Sequence, residues 1–134
     1  MVNGKDYFGA HDGMQYAGLH LLVDMWEAER LDDRIWIEAA LNDAARLAKA
    51  TVLHGYFHVF SPQCGVSGVL LLAESHLSIH TWPERHFAAF DLFMCATCNP
   101  NDALPALEKA FRPGRMNVTE VRRGLMDDVS ATNA

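Results

Sequence analysis

An α+β two-layer sandwich, a mainly antiparallel sheet with two helices on one face, is the fold class this sequence predicts. Three observations carry that expectation. The elements run strand, helix, several strands, helix, strand. Only two stretches place apolar residues at helical spacing, and the rest of the apolar residues sit in short runs suited to strands. The length of 134 residues suits one domain with one core, with helices packed against a single sheet.

The elements follow in order. Residues 1–13 are polar and glycine-rich and read as a mobile leader. Gln15–Trp26 reads as a strand, and Leu31–Asp33 turns the chain into a helix over Arg34–Ala50. That helix places Ile37, Leu41, Ala44, Leu47 and Ala48 on one stripe, with Glu38, Asn42, Arg46 and Lys49 opposite. Thr51–Phe60 is β-rich, Ser61–Gly65 is a loop, and Val66–Ala73 is an apolar strand. Ser75–Trp82 alternates. His76, Ser78, His80 and Trp82 share one face, with Leu77, Ile79 and Thr81 on the other. Pro83 breaks that run. Phe87–Met94 is a further strand, and Asn101 or Asp102 caps a helix ending near Phe111. Pro105 is tolerable there because first-turn N–H groups have no intrahelical partner. Arg112-Pro113-Gly114 stops the helix, Met116–Val121 is a short closing strand, and the tail from about 125 to 134 is expected to be flexible.

Composition excludes several classes. A formal charge of −6 argues against nucleic acid as a partner. Arg112, Arg115, Arg122 and Arg123 alternate with acids and read as a solvated face. The longest apolar run, Val69–Ala73, is far short of the ~20 residues of a membrane helix. No signal peptide is evident, and three cysteines offer no disulfide framework, so the expected location is the cytoplasm.

The chemistry concentrates in Gly65–Cys95. An apolar strand ends abruptly in Ala73-Glu74-Ser75-His76, and hydroxyls and imidazoles crowd the next strand. Ser67, Ser75, His76, Ser78, His80, Thr81 and Cys95 are many reactive groups for so hydrophobic a stretch, and buried polar groups need partners. Satisfied core histidines are the plainer reading of any one of them; the cluster points to a site. A serine hydrolase is disfavoured, because Gly65-Val66-Ser67-Gly68-Val69 lacks the Gly-x-Ser-x-Gly spacing and leads into a strand. Cys95-Ala96-Thr97-Cys98 is a Cys-x-x-Cys, but Asn99-Pro100 delays the helix that would lower a thiol pKa. A zinc shell would need Cys64 and a histidine, and no second ligand pair stands at finger-like spacing, so no metal is expected.

The run Ala73-Glu74-Ser75-His76-Leu77-Ser78-Ile79-His80-Thr81-Trp82-Pro83-Glu84 closely resembles the processing segment of prokaryotic S-adenosylmethionine decarboxylases. Gly65-Val66-Ser67-Gly68-Val69 before it and Ala88-Ala89-Phe90-Asp91-Leu92-Phe93-Met94-Cys95 after it extend the likeness. A weaker similarity runs from Gly18-Leu19-His20-Leu21 to Arg123-Gly124. The resemblance implies self-cleavage between Glu74 and Ser75, giving a chain of residues 1–74 and a chain of residues 75–134. Ser75 would become a covalent pyruvoyl group, the electron sink that pyridoxal phosphate supplies in other decarboxylases. By the same resemblance Ser67 and His80 assist processing, and Cys95 is the proton donor in catalysis. Glu84 binds ribose hydroxyls and Phe60 stacks on adenine. The implied partners are a small-molecule substrate and a second processed copy, with the site near the interface, and the implied role is polyamine synthesis. Plainer readings of Glu84 and Phe60 are a surface carboxylate and a core phenylalanine.

Strand parity bears on these roles. In an extended segment Ser75 and His80 point to opposite faces, so direct contact needs a bend, or the free end that cleavage creates. The sequence also departs from the family pattern. Arg85-His86 follows Glu84, Gln63-Cys64 adds a residue before Gly65, and Leu19 stands where an arginine is common. These departures leave two alternatives: a pyruvoyl-dependent ornithine or arginine decarboxylase, and an unprocessed regulatory or metal-binding homologue. Retention of Ser75, His80 and Cys95 weighs against the second. No role is assigned to Cys64, Cys98, Arg85 or His86.

Overall fold

A computed structural model describes residues 9–11 and 14–126. Its elements are β1 (Gly9–His11), β2 (Met14–Tyr16), β3 (Gly18–Trp26), α1 (Arg34–Leu47), β4 (Val52–Phe60), β5 (Gly65–Leu72), β6 (Ser75–Trp82), β7 (Phe87–Cys95), α2 (Leu104–Phe111) and β8 (Arg115–Arg123). Single 3₁₀ turns cover Pro83–Arg85 and Pro100–Ala103. The order β4-β5-β6-β7-β3-β8 forms one six-stranded antiparallel sheet, and β1 pairs with β2 as a separate ribbon. The chain is therefore the expected α+β sandwich, with α1 and α2 on one face.

Alternation decides which face the helices cover. Leu21, Val23 and Met25 of β3, Leu70 and Leu72 of β5, Leu77 and Ile79 of β6, and Phe90, Leu92 and Met94 of β7 are buried in one cluster. Ile37, Leu41 and Ala44 of α1 and Leu107 and Phe111 of α2 complete it. Each large side chain buried this way contributes roughly 1.5–3 kcal/mol. The opposite face has no helix among the described residues. It exposes Tyr56, Phe60, Leu71 and Trp82 by 62%, 51%, 52% and 40%.

The helix ends follow from local chemistry. The Asp33 side chain accepts from the Trp36 N–H and starts α1. That hydrogen bond holds the Asp33 carboxyl below the ordinary aspartate range. The cap's contribution is thus present above the unfolded aspartate pKa and fades as pH falls through the lowered one. The second helix starts differently from expectation. Neither Asn101 nor Asp102 caps it: the N-cap of α2 is Ala103, which makes no side-chain hydrogen bond, and the 3₁₀ turn before it is capped by Asn99, accepting from the Asn101 N–H. Pro100 favours that tight turn, because its ring presets φ and no N–H is lost from an α-helical ladder.

Other boundaries shift slightly. The strand expected over Gln15–Trp26 divides at Ala17 into β2 and β3. Within the expected leader, Gly9–His11 pairs with Met14–Tyr16, and Met126 bridges to Gln15. Residues 1–8, 12, 13 and 127–134 lie outside the described residues.

Thr81 ties the two layers together. Its buried hydroxyl accepts from the Val66 N–H at 2.8 Å and donates to the Leu31 carbonyl at 2.7 Å. Replacing it with the isosteric valine leaves both buried backbone groups unpaired, at about 1–3 kcal/mol each. We expect Thr81→Val to lower unfolding free energy by about 2–6 kcal/mol in urea titrations. A change below about 0.5 kcal/mol would mean that water replaces the hydroxyl.

Candidate active site

The hairpin between β5 and β6 builds the first part of the site. Leu72 pairs with Ser75, so Ala73 and Glu74 alone make the turn. The Ala73 N–H bonds the Thr51 carbonyl at 3.0 Å and holds the turn against the preceding strand. Glu74 takes φ 61°, in the left-handed region that costs a non-glycine residue about 1–2 kcal/mol. The Glu74–Ser75 bond thus lies at an exposed, locally strained corner. Ser75 itself is 8% exposed on the helix-facing side. Its Oγ accepts from the Cys95 N–H at 3.1 Å, which leaves the hydroxyl proton free to be donated.

Cys95 closes β7 beside Ser75. Its thiol is buried and lies 3.0 Å from the Thr97 hydroxyl. Cys98 turns away, with its Sγ 3.6 Å from the Lys49 carbonyl. Burial pushes the Cys98 thiol up from its ordinary pKa. Gly18 lies opposite Cys95 on β3, and a Cβ there would stand 2.1 Å from the Met94 carbonyl oxygen. Glycine at this position lets β3 approach the end of β7 closely.

The second part of the site is elsewhere. Ser67 and His80 face each other across β5 and β6, with Oγ and Nδ1 2.9 Å apart, on the face without helices. His80 is five residues from Ser75, about 17 Å along an extended strand, and on the opposite face. The parity argument therefore holds in the folded chain, and no bend brings the two together. Ser67, His80, Phe60, Trp82 and Glu84 line a cavity of about 240 Å³. The candidates thus divide by geometry alone, with Glu74, Ser75 and Cys95 in the first place and Ser67, His80, Phe60 and Glu84 in the second. Glu84 sits in the 3₁₀ turn that follows Pro83, and Phe60 at the end of β4 is half exposed, not a core residue. Arg85 and His86 are exposed in and after the same turn, and Cys64 is exposed beside Pro62.

The sequence reading missed two features. One is Thr97 as the partner of the Cys95 thiol. The other is a set of three side chains, His20, His76 and Asp91, that meet on the open face. His20 and Asp91 are 71 residues apart, and no spacing signal links them.

Residues 19–124 match the family model of S-adenosylmethionine decarboxylase. The chain belongs to that family. Relatives described as S-adenosylmethionine decarboxylase proenzyme include those of Methanococcus aeolicus, Thermomicrobium roseum and Clostridium kluyveri. The first is 42% identical over 116 residues, covering 84% of this chain and 98% of the relative. The second is also 42% identical, covering 86% and 100%, and the third is 40% identical, covering 90% and 98%. The crystal structure of the adenosylmethionine decarboxylase from Aquifex aeolicus superposes with a TM-score of 0.74 at 30% identity, covering 84% of this chain and 95% of that one. An S-adenosylmethionine decarboxylase monomer from Trypanosoma brucei shares the fold, with a TM-score of 0.54 at 22% identity. This chain covers 83% of its own length there and 50% of that protein. No helix of the described residues is long and apolar enough to cross a membrane.

The three thiols differ in access, and alkylation should rank them. In the folded protein we expect iodoacetamide to label exposed Cys64 first, by peptide mapping. Cys98, with less thiolate at neutral pH, and buried Cys95 should follow slowly. Equal rates for all three would mean that the end of β7 opens freely.

Proposed function

We propose that this chain is the self-cleaving precursor of a pyruvoyl-dependent decarboxylase acting on S-adenosylmethionine, in polyamine synthesis. The observation that carries the reading is the two-residue turn that presents the Glu74–Ser75 bond with Ser75 beside Cys95. Ser75 Oγ attacks the Glu74 carbonyl carbon. The peptide C–N bond breaks as its nitrogen takes a proton, and an ester remains. A base then removes the α-proton of residue 75. The Cβ–Oγ bond breaks, and the first chain leaves with the Glu74 carboxylate. Water displaces ammonia from the resulting enamine, which leaves a pyruvoyl group at the head of the second chain. The residues present fit that group. Residue 75 heads a strand, so cleavage frees it without disturbing the pairing of β6, and it relieves the left-handed backbone at Glu74.

A pyruvoyl carbonyl supplies the electron sink for the charge left when carbon dioxide departs, and no pyridoxal phosphate is needed. Cys95, held by Thr97, is the proton donor at the former α-carbon of the substrate. Glu84 would accept from ribose hydroxyls and Phe60 would stack on an adenine ring; that both line the cavity with Ser67 and His80 supports these roles.

Ser75 with Cys95 and Ser67 with His80 lie too far apart to act together in one chain. A cavity of about 240 Å³ is also small for a nucleoside substrate. A second copy packed on the open sheet face by a two-fold axis brings the pair from one protomer to the cleavage end of the other, twice. The exposed apolar side chains of that face suit such burial. We therefore read the working form as a homodimer of processed protomers. The three free thiols suit a reducing compartment, and we read the location as the cytoplasm.

Denaturing mass spectrometry tests the cleavage. Two chains are expected, one ending at Glu74 and one starting without a free amine. Carboxyl-labelled S-adenosylmethionine, ornithine, arginine and lysine test the substrate. Labelled carbon dioxide from S-adenosylmethionine supports the reading. Release mainly from ornithine or arginine replaces the substrate and keeps the chemistry, and one intact active chain overturns both.

The shared site has its own test. Cys95→Ala and His80→Ala should each lose about a hundred- to ten-thousand-fold in turnover when made alone. Co-expressed, half of the randomly paired dimers are mixed, and each of these carries one fully wild-type site. Activity should then return to about a quarter of wild type. No recovery in verified mixed dimers would show that each site is built within one chain.

A further inference from the structure

We propose that His20, His76 and Asp91 form a binding site for a late first-row divalent cation such as Zn²⁺ or Co²⁺. The three side chains come from adjacent strands β3, β6 and β7 and stand on the open face. Register aligns them: His20 and His76 each pair with Phe93, on either side of β7, and Asp91 follows on the same face of that strand. Their ligand atoms all lie within 4.8 Å of one another. The Nε2 of His76 is 3.4 Å from Asp91 Oδ1, and the Nε2 of His20 contacts the same oxygen. Ligand atoms around a tetrahedral ion with bonds of about 2.1 Å stand about 3.4 Å apart, so small side-chain shifts suffice. Two imidazoles and one carboxylate suit zinc, cobalt, iron or nickel better than magnesium or calcium.

The surroundings favour a fixed geometry. The Phe93 ring packs edge-on to His20 at 5.5 Å and tilted against His76 at 5.8 Å, which limits rotation of both imidazoles. Strands hold ligands more precisely than loops do. In the single chain the His20 side chain is 14% exposed, and Asp91 and His76 are 37% and 40% exposed, so an ion can enter before a second copy packs on that face. The fourth coordination position is left to water. The site shares no residue with the Ser75–Cys95 pair or with the cavity at Ser67 and His80.

Arg123 sets the ion-free state. Its Nη1 lies 2.9 Å from His20 Nδ1, and a guanidinium only donates. His20 Nδ1 therefore accepts, and the ring proton sits on Nε2, toward Asp91. Metal at Nε2 requires that proton to move to Nδ1, and then Arg123 must swing away. Arg123 is exposed at the end of edge strand β8, so it has room to do so. It competes with the metal twice, through the tautomer and through its charge.

That competition gives the site a signature that thiol binding lacks. The full chain, stripped with a chelator, is titrated with Co²⁺ and followed by absorption. One equivalent per chain is expected, with visible ligand-field bands, no thiolate-to-cobalt charge transfer in the near ultraviolet, and displacement by Zn²⁺. Asp91→Asn and His76→Ala should each weaken binding more than about tenfold. Arg123→Ala should tighten it. Absent or substoichiometric binding, a charge-transfer band from the cysteines, or ligand variants that bind like wild type would overturn the proposal. Should the ligand variants fail to fold, Arg123→Ala decides alone: unchanged or weaker binding refutes the site. The titration reads the same in cleaved and uncleaved protein, so it is independent of the proposed decarboxylation.

Discussion

The two-residue turn at Ala73-Glu74 sets the register on which every later feature rests. Because Leu72 pairs with Ser75, β6 begins at Ser75 and alternates from there. Ser75, Leu77, Ile79 and Thr81 face the helices, and His76, Ser78, His80 and Trp82 face away. A slip of one residue would send three imidazole- or hydroxyl-bearing side chains into the core and expose Leu77 and Ile79. The buried cluster therefore holds the chemistry in place indirectly, since the apolar face can pack in one register only. The same pairing makes the corner tight enough to force Glu74 into the left-handed region.

That alternation separates stability from chemistry. The helix-facing side of β5, β6 and β7 is almost wholly apolar, and its buried hydroxyls are accounted for. Thr81 bonds Val66 and Leu31, and Ser75 accepts from Cys95. The other side carries histidines, serines and Asp91 among aromatic rings. Polar groups there keep partial access to water, so they cost little in the single chain. Between the thiols the same logic discriminates. Cys95 ends a strand beside Ser75, while Cys98 has passed the turn and faces the loop after α1.

A sheet with one bare face is an unfinished layer. Helices cover one side, and the exposed aromatic and aliphatic groups on the other match what a second copy would bury. Packing of that kind would also change the setting of the His20, His76 and Asp91 group, by restricting its exchange with bulk solvent. Electrostatic interactions strengthen as the surrounding dielectric falls. The open cavity and the imidazole cluster thus share one face of the sheet without sharing a side chain, while Ser75 lies on the other.

Much was readable along the chain. Period-two runs marked the strands of the sheet, and a 3.6-residue period marked α1. The Gly65–Cys95 stretch carried the family likeness, with Ser67, Ser75, His80 and Cys95 in order. Parity alone separated Ser75 from His80, because side-chain direction in a strand is a local property of the backbone. Other features were not local. The second helix starts after Ala103 with no side-chain cap, because Pro100 favoured a 3₁₀ turn, capped by Asn99, over the α-helical start expected from asparagine or aspartate further on. Phe60 and Glu84 met Ser67 and His80 in one cavity only because β4, β5 and β6 lie side by side. His20 reached Asp91 across 71 residues because β3 is the neighbour of β7. Sequence by itself determined the strands, their faces and the family, since these depend on residue order and near neighbours. Tertiary structure alone decided which reactive groups meet, since strand order in a sheet is set by the packing of the whole core and by no short run of residues.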